Sequence, residues 1–299
     1  MASTESLQET ALEPGDLEGA QALVAQSGWN QVKADWSIFL ELGRAFAMKS
    51  AGEGLVATAA VLPYPSGFGW ISMVLVDEAH RRRGLAKRLL ARCIDELKSA
   101  GMVPVLDATP AGRKVYGPLG FRDGWPIQRW RRIERPGSGG LRSSRAKEAQ
   151  FQDARSRQVR PLEDGDWPGV LALDARAFGC DRAALLERLR ERSRAFACVA
   201  VEGGRLAGFL LGRDGRIATQ LGPIVAEDEA TAVALTARAA ASVPSPVIVD
   251  ALERHETFAA WLAANGFGRE RPYTRMALGQ ERLFGDPART FAIAGPELG

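Results

Sequence analysis

Apolar residues recur along this chain at two spacings, and the spacings alternate. Helical spacing marks Glu18 to Gln26, with Asp16 placed to cap it, and Val32 to Leu42, where Trp36, Phe39 and Leu40 share a face. Leu55 to Leu62 reads as a strand. Trp70 to Val76 reads as another, and its largely continuous apolar character suggests a strand covered on both faces. A long amphipathic helix is predicted over Arg81 to Lys98, with Leu85, Leu89, Cys93, Ile94 and Leu97 on one side. A buried strand at Val103 to Leu106 follows, and then a short helix from Pro110 that stops at Gly120. Alternating helices and strands predict an α/β fold.

The same order returns in the second half. It predicts a strand at Val159 to Leu162, helices over Asp166 to Phe178 and Asp181 to Arg194, and a hairpin of Phe196 to Val201 with Leu206 to Leu211. A strand at Gln220 to Ala226, a helix over Asp228 to Ala241, a strand at Val247 to Asp250 and a helix over Thr257 to Asn265 complete the series. Gly–Phe follows the last helix in both halves, at Gly120–Phe121 and Gly266–Phe267, so the chain reads as a tandem repeat. The apolar run Phe291–Ala292–Ile293–Ala294 near the end suggests docking onto a surface.

Between the halves, Arg135–Pro136–Gly137–Ser138–Gly139–Gly140 and the polar residues after it read as a linker. This divides the 299 residues into an expected N-terminal domain, 1–134, a linker, 135–157, and an expected C-terminal domain with its tail, 158–299. From Arg131 to Arg157 there are eight Lys/Arg against three Asp/Glu, so the net charge of +3 is concentrated there. With Phe151 the one aromatic residue in this stretch, a solvated tether is the better reading than a nucleic-acid site. Three scattered cysteines form no CxxC pair, so neither a disulfide framework nor a zinc site is indicated. No apolar run is long enough for a membrane helix, and the start lacks the pattern of a secretory signal. A cytoplasmic protein with no membrane or nucleic-acid partner is the expectation.

The chemistry concentrates at Arg81–Arg82–Arg83–Gly84–Leu85–Ala86, between an apolar strand and a helix. A helix start offers free N–H groups and a positive dipole end, Gly84 and Ala86 leave the backbone accessible, and the arginines add forked donors. Such a segment suits a diphosphate, although by itself it reads equally well as a solvated basic helix start. No GxxxxGK[ST] string is present, so a P-loop is excluded. In its context the segment resembles the acetyl-CoA motif of the GNAT superfamily of N-acetyltransferases, Gln/Arg-x-x-Gly-x-Gly/Ala, met here by Arg81, Gly84 and Ala86. GNAT domains also place a Tyr four residues before a Gly–Phe pair, as Tyr116 stands before Gly120–Phe121. The resemblance spans nearly the whole chain and is of the bacterial tandem type, with Gly28–Trp29–Asn30–Gln31 and Leu106 to Gly112 as further matching segments. Many GNAT domains carry Asn seven residues before the Tyr; here Thr109 stands there.

The resemblance implies two tandem GNAT-like domains, each a mixed, mainly antiparallel sheet flanked by helices. It implies acetyl-CoA as cosubstrate, with no metal, held by Arg81, Arg82, Arg83, Gly84, Leu85, Ala86 and Lys87, with Leu75, Val76, Thr109 and Arg113 beside them. Backbone N–H groups near Leu75 or Val76 would polarise the thioester carbonyl, and Tyr116 would protonate the leaving thiolate. A core aromatic with a bonded hydroxyl is the alternative for Tyr116. Asp107 is a candidate base for the acceptor amine or, equally, a cap for the helix starting at Pro110. Trp29, Asn30, Gln31 and Asp35 are candidates for the acceptor pocket. The acceptor itself is expected to be a small-molecule amine or a peptide amine, and a homodimer is open. In the second half Glu227–Asp228–Glu229 replaces the basic segment and Leu262 replaces the Tyr, so that half is read as degenerate, and His255 reads as a surface residue. A non-catalytic CoA sensor or scaffold is the competing function.

Overall fold

The computed structural model describes residues 7–133 and 157–299, so all of the expected linker but Arg157 falls outside the described residues. The N-terminal half runs β1 (Leu7–Ala11), α1 (Leu17–Gln26), α2 (Lys33–Leu42), β2 (Arg44–Ser50), β3 (Gly54–Tyr64), β4 (Phe68–Val76), α3 (Leu85–Ser99), β5 (Val103–Ala108), α4 (Pro110–Tyr116) and β6 (Phe121–Arg132). The C-terminal half repeats it as β7 (Arg157–Pro161), α5 (Trp167–Phe178), α6 (Ala183–Ser193), β8 (Cys198–Glu202), β9 (Arg205–Arg213), β10 (Thr219–Ala226), α7 (Glu229–Ser242), β11 (Val247–Leu252), α8 (Glu256–Ala264) and β12 (Gly268–Leu278), then adds β13 (Thr290–Ala292). Strands β1, β2, β6, β12 and β13 lie outside the elements that hydrophobic spacing predicts.

All the strands join one mixed sheet of thirteen, ordered β1-β2-β3-β4-β5-β12-β6-β11-β13-β10-β9-β8-β7. The halves exchange strands at its centre. β12, from the C-terminal half, lies antiparallel between β5 and β6, and β6 pairs in turn with β11. Two pairings, β4 with β5 and β10 with β11, are parallel. Helices pack on both faces. Leu85, Leu89, Cys93 and Leu97 of α3 are buried with Met48, Ile71 and Met276, a residue of β12, so the core of the first half already contains the second. A larger cluster joins α1 and α2 to α5 and α6 through residues such as Trp36, Phe39, Phe178 and Leu189.

Two local features create the site. The β4–β5 pairing ends at Trp70↔Val105, so the strands splay beyond it. Opposite β3, the register passes from Ala60↔Ser72 to Thr58↔Leu75, which sets Met73 and Val74 against one residue. That is a β-bulge; Met73 adopts φ 54°, and its carbonyl accepts a 2.9 Å bond from Thr58 Oγ1. In the C-terminal half β10 bulges at the matching place, between Leu221 and Ile224, and its pairing with β11 ends at Leu221↔Val249. There the opening is closed by the chain itself: β13 pairs with both β10 and β11. Phe291, Ala292, Ile293 and Ala294 are all buried, as their apolar run suggests.

Candidate active site

After β4 the chain turns through Asp77, whose carboxylate accepts from Ala79 N, and α3 begins only at Leu85. This corrects the expected helix start at Arg81: Arg81, Arg82 and Arg83 belong to the preceding loop. Arg82 and Gly84 adopt φ 63° and 80°, left-handed values that turn the chain sharply into the helix. The N–H groups of Leu85, Ala86 and Lys87 precede the first intrahelical bond, from Arg88 N to Gly84 O, and so face outward unpaired by the helix. No acidic residue stands in this first turn, and a Cβ at Gly84 would meet nothing within 4 Å. An open groove of about 410 Å³ lies over it, lined by Leu75, Val76, Arg81, Arg82, Gly84, Leu85, Ala86 and Lys87 together with Trp29 and Val74. Arg81 is steadied by Glu78 at 3.2 Å and by the Val76 carbonyl. Arg83 and Arg113 are exposed and line neither this groove nor the cavity beside it; Arg113 pairs with Asp123.

The matching helix start in the C-terminal half is filled by carboxylates. Asp228 accepts from Thr231 N at 2.7 Å, Glu229 from Phe258 N at 3.0 Å, and Glu227 pairs with Arg205. Negative charge at that dipole end repels a phosphate. His255 is buried rather than on the surface. Its ring stacks on Phe291 at 3.9 Å and meets the carbonyls of Pro287 and Thr290, because the chain carrying β13 covers it. Burial pushes its pKa below the ordinary value.

Beside the groove, between the splayed β4 and β5, lies a cavity of about 160 Å³. Trp29 and Val74 line both spaces. Tyr116 enters the cavity from the end of α4. That helix is capped by Thr109, whose Oγ1 accepts from Gly112 N at 3.1 Å, so the cap is Thr109 and not Asp107. A Cβ at Gly112 would come within 2.8 Å of the Tyr116 ring, so only glycine lets the ring lie against the helix. Burial raises the Tyr116 phenol above its ordinary value, with the Cys93 thiol adding to the effect, and keeps it protonated.

Asp107 lines the cavity but has no exposed side-chain surface. Both its oxygens accept from Arg275, at 2.9 and 3.0 Å, and Arg275 in turn lies over Trp70. Burial raises the Asp107 carboxyl and the guanidinium opposes it. Of the expected acceptor residues, Trp29, Asn30 and Gln31 line the cavity. Asn30 is also a clamp between the halves: its Oδ1 accepts from Ile217 N and Ala218 N, and its Nδ2 donates to Ala218 O, each at 3.0 Å. Asp35 does not line the cavity. It closes the first turn of α2 by accepting from Val32 N, and it faces Arg192 at 2.7 Å and Arg213 at 3.3 Å in the buried seam between the halves. Its carboxylate therefore serves packing there.

Sequence patterns missed part of the wall. Arg129 comes from β6, Arg271 and Tyr273 from β12, and Pro296 and Glu297 from the tail. The tail is pinned to both halves. Tyr64 Oη donates to Leu298 O at 2.7 Å, Trp70 Nε1 donates to Pro296 O at 2.9 Å, and Glu297 pairs with the buried Arg213. The apolar run before the tail was its only signal.

Comparison with known proteins agrees with this geometry. Residues 15–121 match the model of the acetyltransferase (GNAT) family, and residues 170–292 match that of an acetyltransferase (GNAT) domain. The uncharacterized N-acetyltransferase YitH of Bacillus subtilis (strain 168) is 23% identical over 256 residues, 85% of each chain. A Pyrococcus horikoshii protein provisionally described as an acetyltransferase has a similar fold, with TM-score 0.75 at 19% identity over 98% of this chain and 96% of that one. A tandem GNAT protein from the clavulanic acid biosynthesis pathway, at 14% identity, gives TM-score 0.62 over 93% of this chain and 100% of its own. With a GNAT match in each half and the fold of a tandem GNAT protein across both, the chain belongs to the GNAT acetyltransferase superfamily and carries two GNAT domains.

Proposed function

We propose that the N-terminal half transfers an acetyl group from acetyl-CoA to a primary amine, and that the C-terminal half walls the acceptor site without a reaction of its own. The observation that carries this reading is the adjacency of two spaces: the groove over the basic helix start and the cavity holding Tyr116 share Trp29 and Val74 as walls. A diphosphate on the free N–H groups at Leu85 to Lys87 fits the open backbone around Gly84. The acyl end of the same molecule would then reach the splay between β4 and β5. Among the described residues no strand pairs there with the β5-facing edge of β4, which leaves that edge open to a thioester carbonyl.

The residues of this chain divide the remaining work. Tyr116, kept protonated by burial, donates a proton to the departing thiolate. An amine of pKa about 10 is protonated at neutral pH and must first lose a proton. Protonation of Asp107 would weaken its paired bonds to Arg275, so water is the more direct carrier of the proton. In the C-terminal half β13 occupies the place that corresponds to the acyl arm, and carboxylates occupy the helix start.

The test is a titration with acetyl-CoA followed by assay of CoA release across a set of amines. One site per chain, lost in Gly84→Glu, together with amine-dependent CoA release, is the expected result. Two sites, or a site that survives Gly84→Glu, would overturn the assignment to the N-terminal half. Tight binding with no release for any amine would favour the sensor or scaffold reading.

A further inference from the structure

The charges lining the cavity are unequally matched. Four charged side chains, Asp107, Arg129, Arg271 and Glu297, face it among the described residues. Three have a buried partner of opposite sign. Arg275 holds both oxygens of Asp107, Asp250 holds Arg129 at 2.7 and 2.8 Å, and Arg213 holds Glu297. Arg271 is different. Its carboxylate contact is its own sequence neighbour Glu270, at 3.4 Å, with the two side chains 30% and 25% exposed. Glu270 is shared with Arg131, 3.6 Å away.

Position sharpens the imbalance. In the β6–β12 register Arg271 stands directly opposite Arg129, and the two guanidiniums lie 6.0 and 5.3 Å from the ring of Tyr273. Like charges directly opposite on neighbouring strands are unfavourable unless an anion relieves them. Asp250 relieves Arg129, and among the described residues Arg271 has only the half-exposed Glu270.

We propose that the acceptor is a small amine that also carries a carboxylate, and that Arg271 is the residue that recognises the carboxylate. This rests on the acetyltransferase reading above. A guanidinium fork matches a planar carboxylate with two parallel bonds. One positive charge held only by a half-exposed neighbour calls for one negative charge; a phosphate dianion would leave a negative charge over. A cavity of about 160 Å³ admits a small molecule and not a folded partner. The carboxylate is bound by the C-terminal half and the amine reacts in the N-terminal half, which gives strand exchange at β12 a role in selecting the substrate.

The experiment compares amino acids with their amides, and with aminophosphonates, by kcat/KM in the full chain. The wild type should favour the carboxylate over its amide by roughly 10- to 100-fold, the span expected for a hydrogen-bonded charge pair. Arg271→Gln should bring the two toward parity through a rise in KM for the acid, Arg271→Lys should keep part of the preference, and Arg271→Glu should reverse it. Amides used as well as acids by the wild type, a ratio unmoved in Arg271→Gln, or a preference for phosphonates would overturn the proposal. The wild-type ratio stands even if a variant fails to fold. Should no amine release CoA, acids and amides are compared by calorimetry on the CoA complex: selective binding of acids supports the carboxylate site, and equal or absent binding overturns it. The transferase reading fails separately, by the missing CoA release.

Discussion

At the scale of single residues, the legible part of the site is the part whose chemistry is local in sequence. Arg81 to Ala86 and Tyr116 declare themselves because the turn, helix start and ring position follow from neighbours a few residues away. Arg271 and Glu297 do not, because sheet pairing and tail docking bring them in from far along the chain. Asp35 shows the converse: next to a segment that lines the cavity, it points into the seam between the halves because capping α2 fixes its direction. Tyr116 yields the sharpest test. On the mechanism proposed above, Tyr116→Phe removes the hydroxyl that serves while the C–S bond breaks, and it should lower kcat roughly 10²–10⁴-fold with little change in acetyl-CoA affinity. The acid form is the active form, so wild-type kcat should fall as pH rises through a pKa held above the ordinary 10.0, and the variant should lack that limb. An unchanged kcat, with chemistry rate-limiting, would remove Tyr116 from the mechanism.

At the scale of elements, the helices and the strands β3 to β5 and β7 to β11 were readable from spacing, and β1, β2, β6, β12 and β13 were not. β1 alternates weakly and β6 is rich in arginine, so neither carries a period-two apolar signal. β6 is stabilised by partners the sequence cannot announce: Asp250 from β11 for Arg129, and β12 along its other edge. β13 spans three residues, yet it closes the opening between β10 and β11. Phe291 is its anchor, 1% exposed and edge-on to Phe258 at 5.8 Å. Phe291→Ala should cost about 3–5 kcal/mol in urea denaturation, the usual cost of emptying a buried aromatic site. A loss below about 1 kcal/mol would mean that the half-sheet holds without its plug.

At the scale of the whole molecule, a repeat in the sequence has become one sheet in space. The Gly–Phe pairs and element order make the duplication plain, but the same pattern would describe two separate sheets. Only the pairings that cross between the halves, β12 with β5 and β6 and β6 with β11, distinguish them, and pairing is a long-range property. A protein built this way should unfold in one calorimetric transition, with van't Hoff and calorimetric enthalpies equal, although its length would suit two independent domains. Two separated peaks would show that the exchanged strands transmit little energy. The exchange also sets an order of events during synthesis. β5 and β6 leave the ribosome long before β12, which begins at Gly268. At about 5–20 residues per second the gap lasts on the order of ten seconds, during which two strand edges at the centre of the future sheet stay open. The first half is therefore made early and finished late, and the candidate cleft does not acquire its far wall until β12 and the residues after it have been translated.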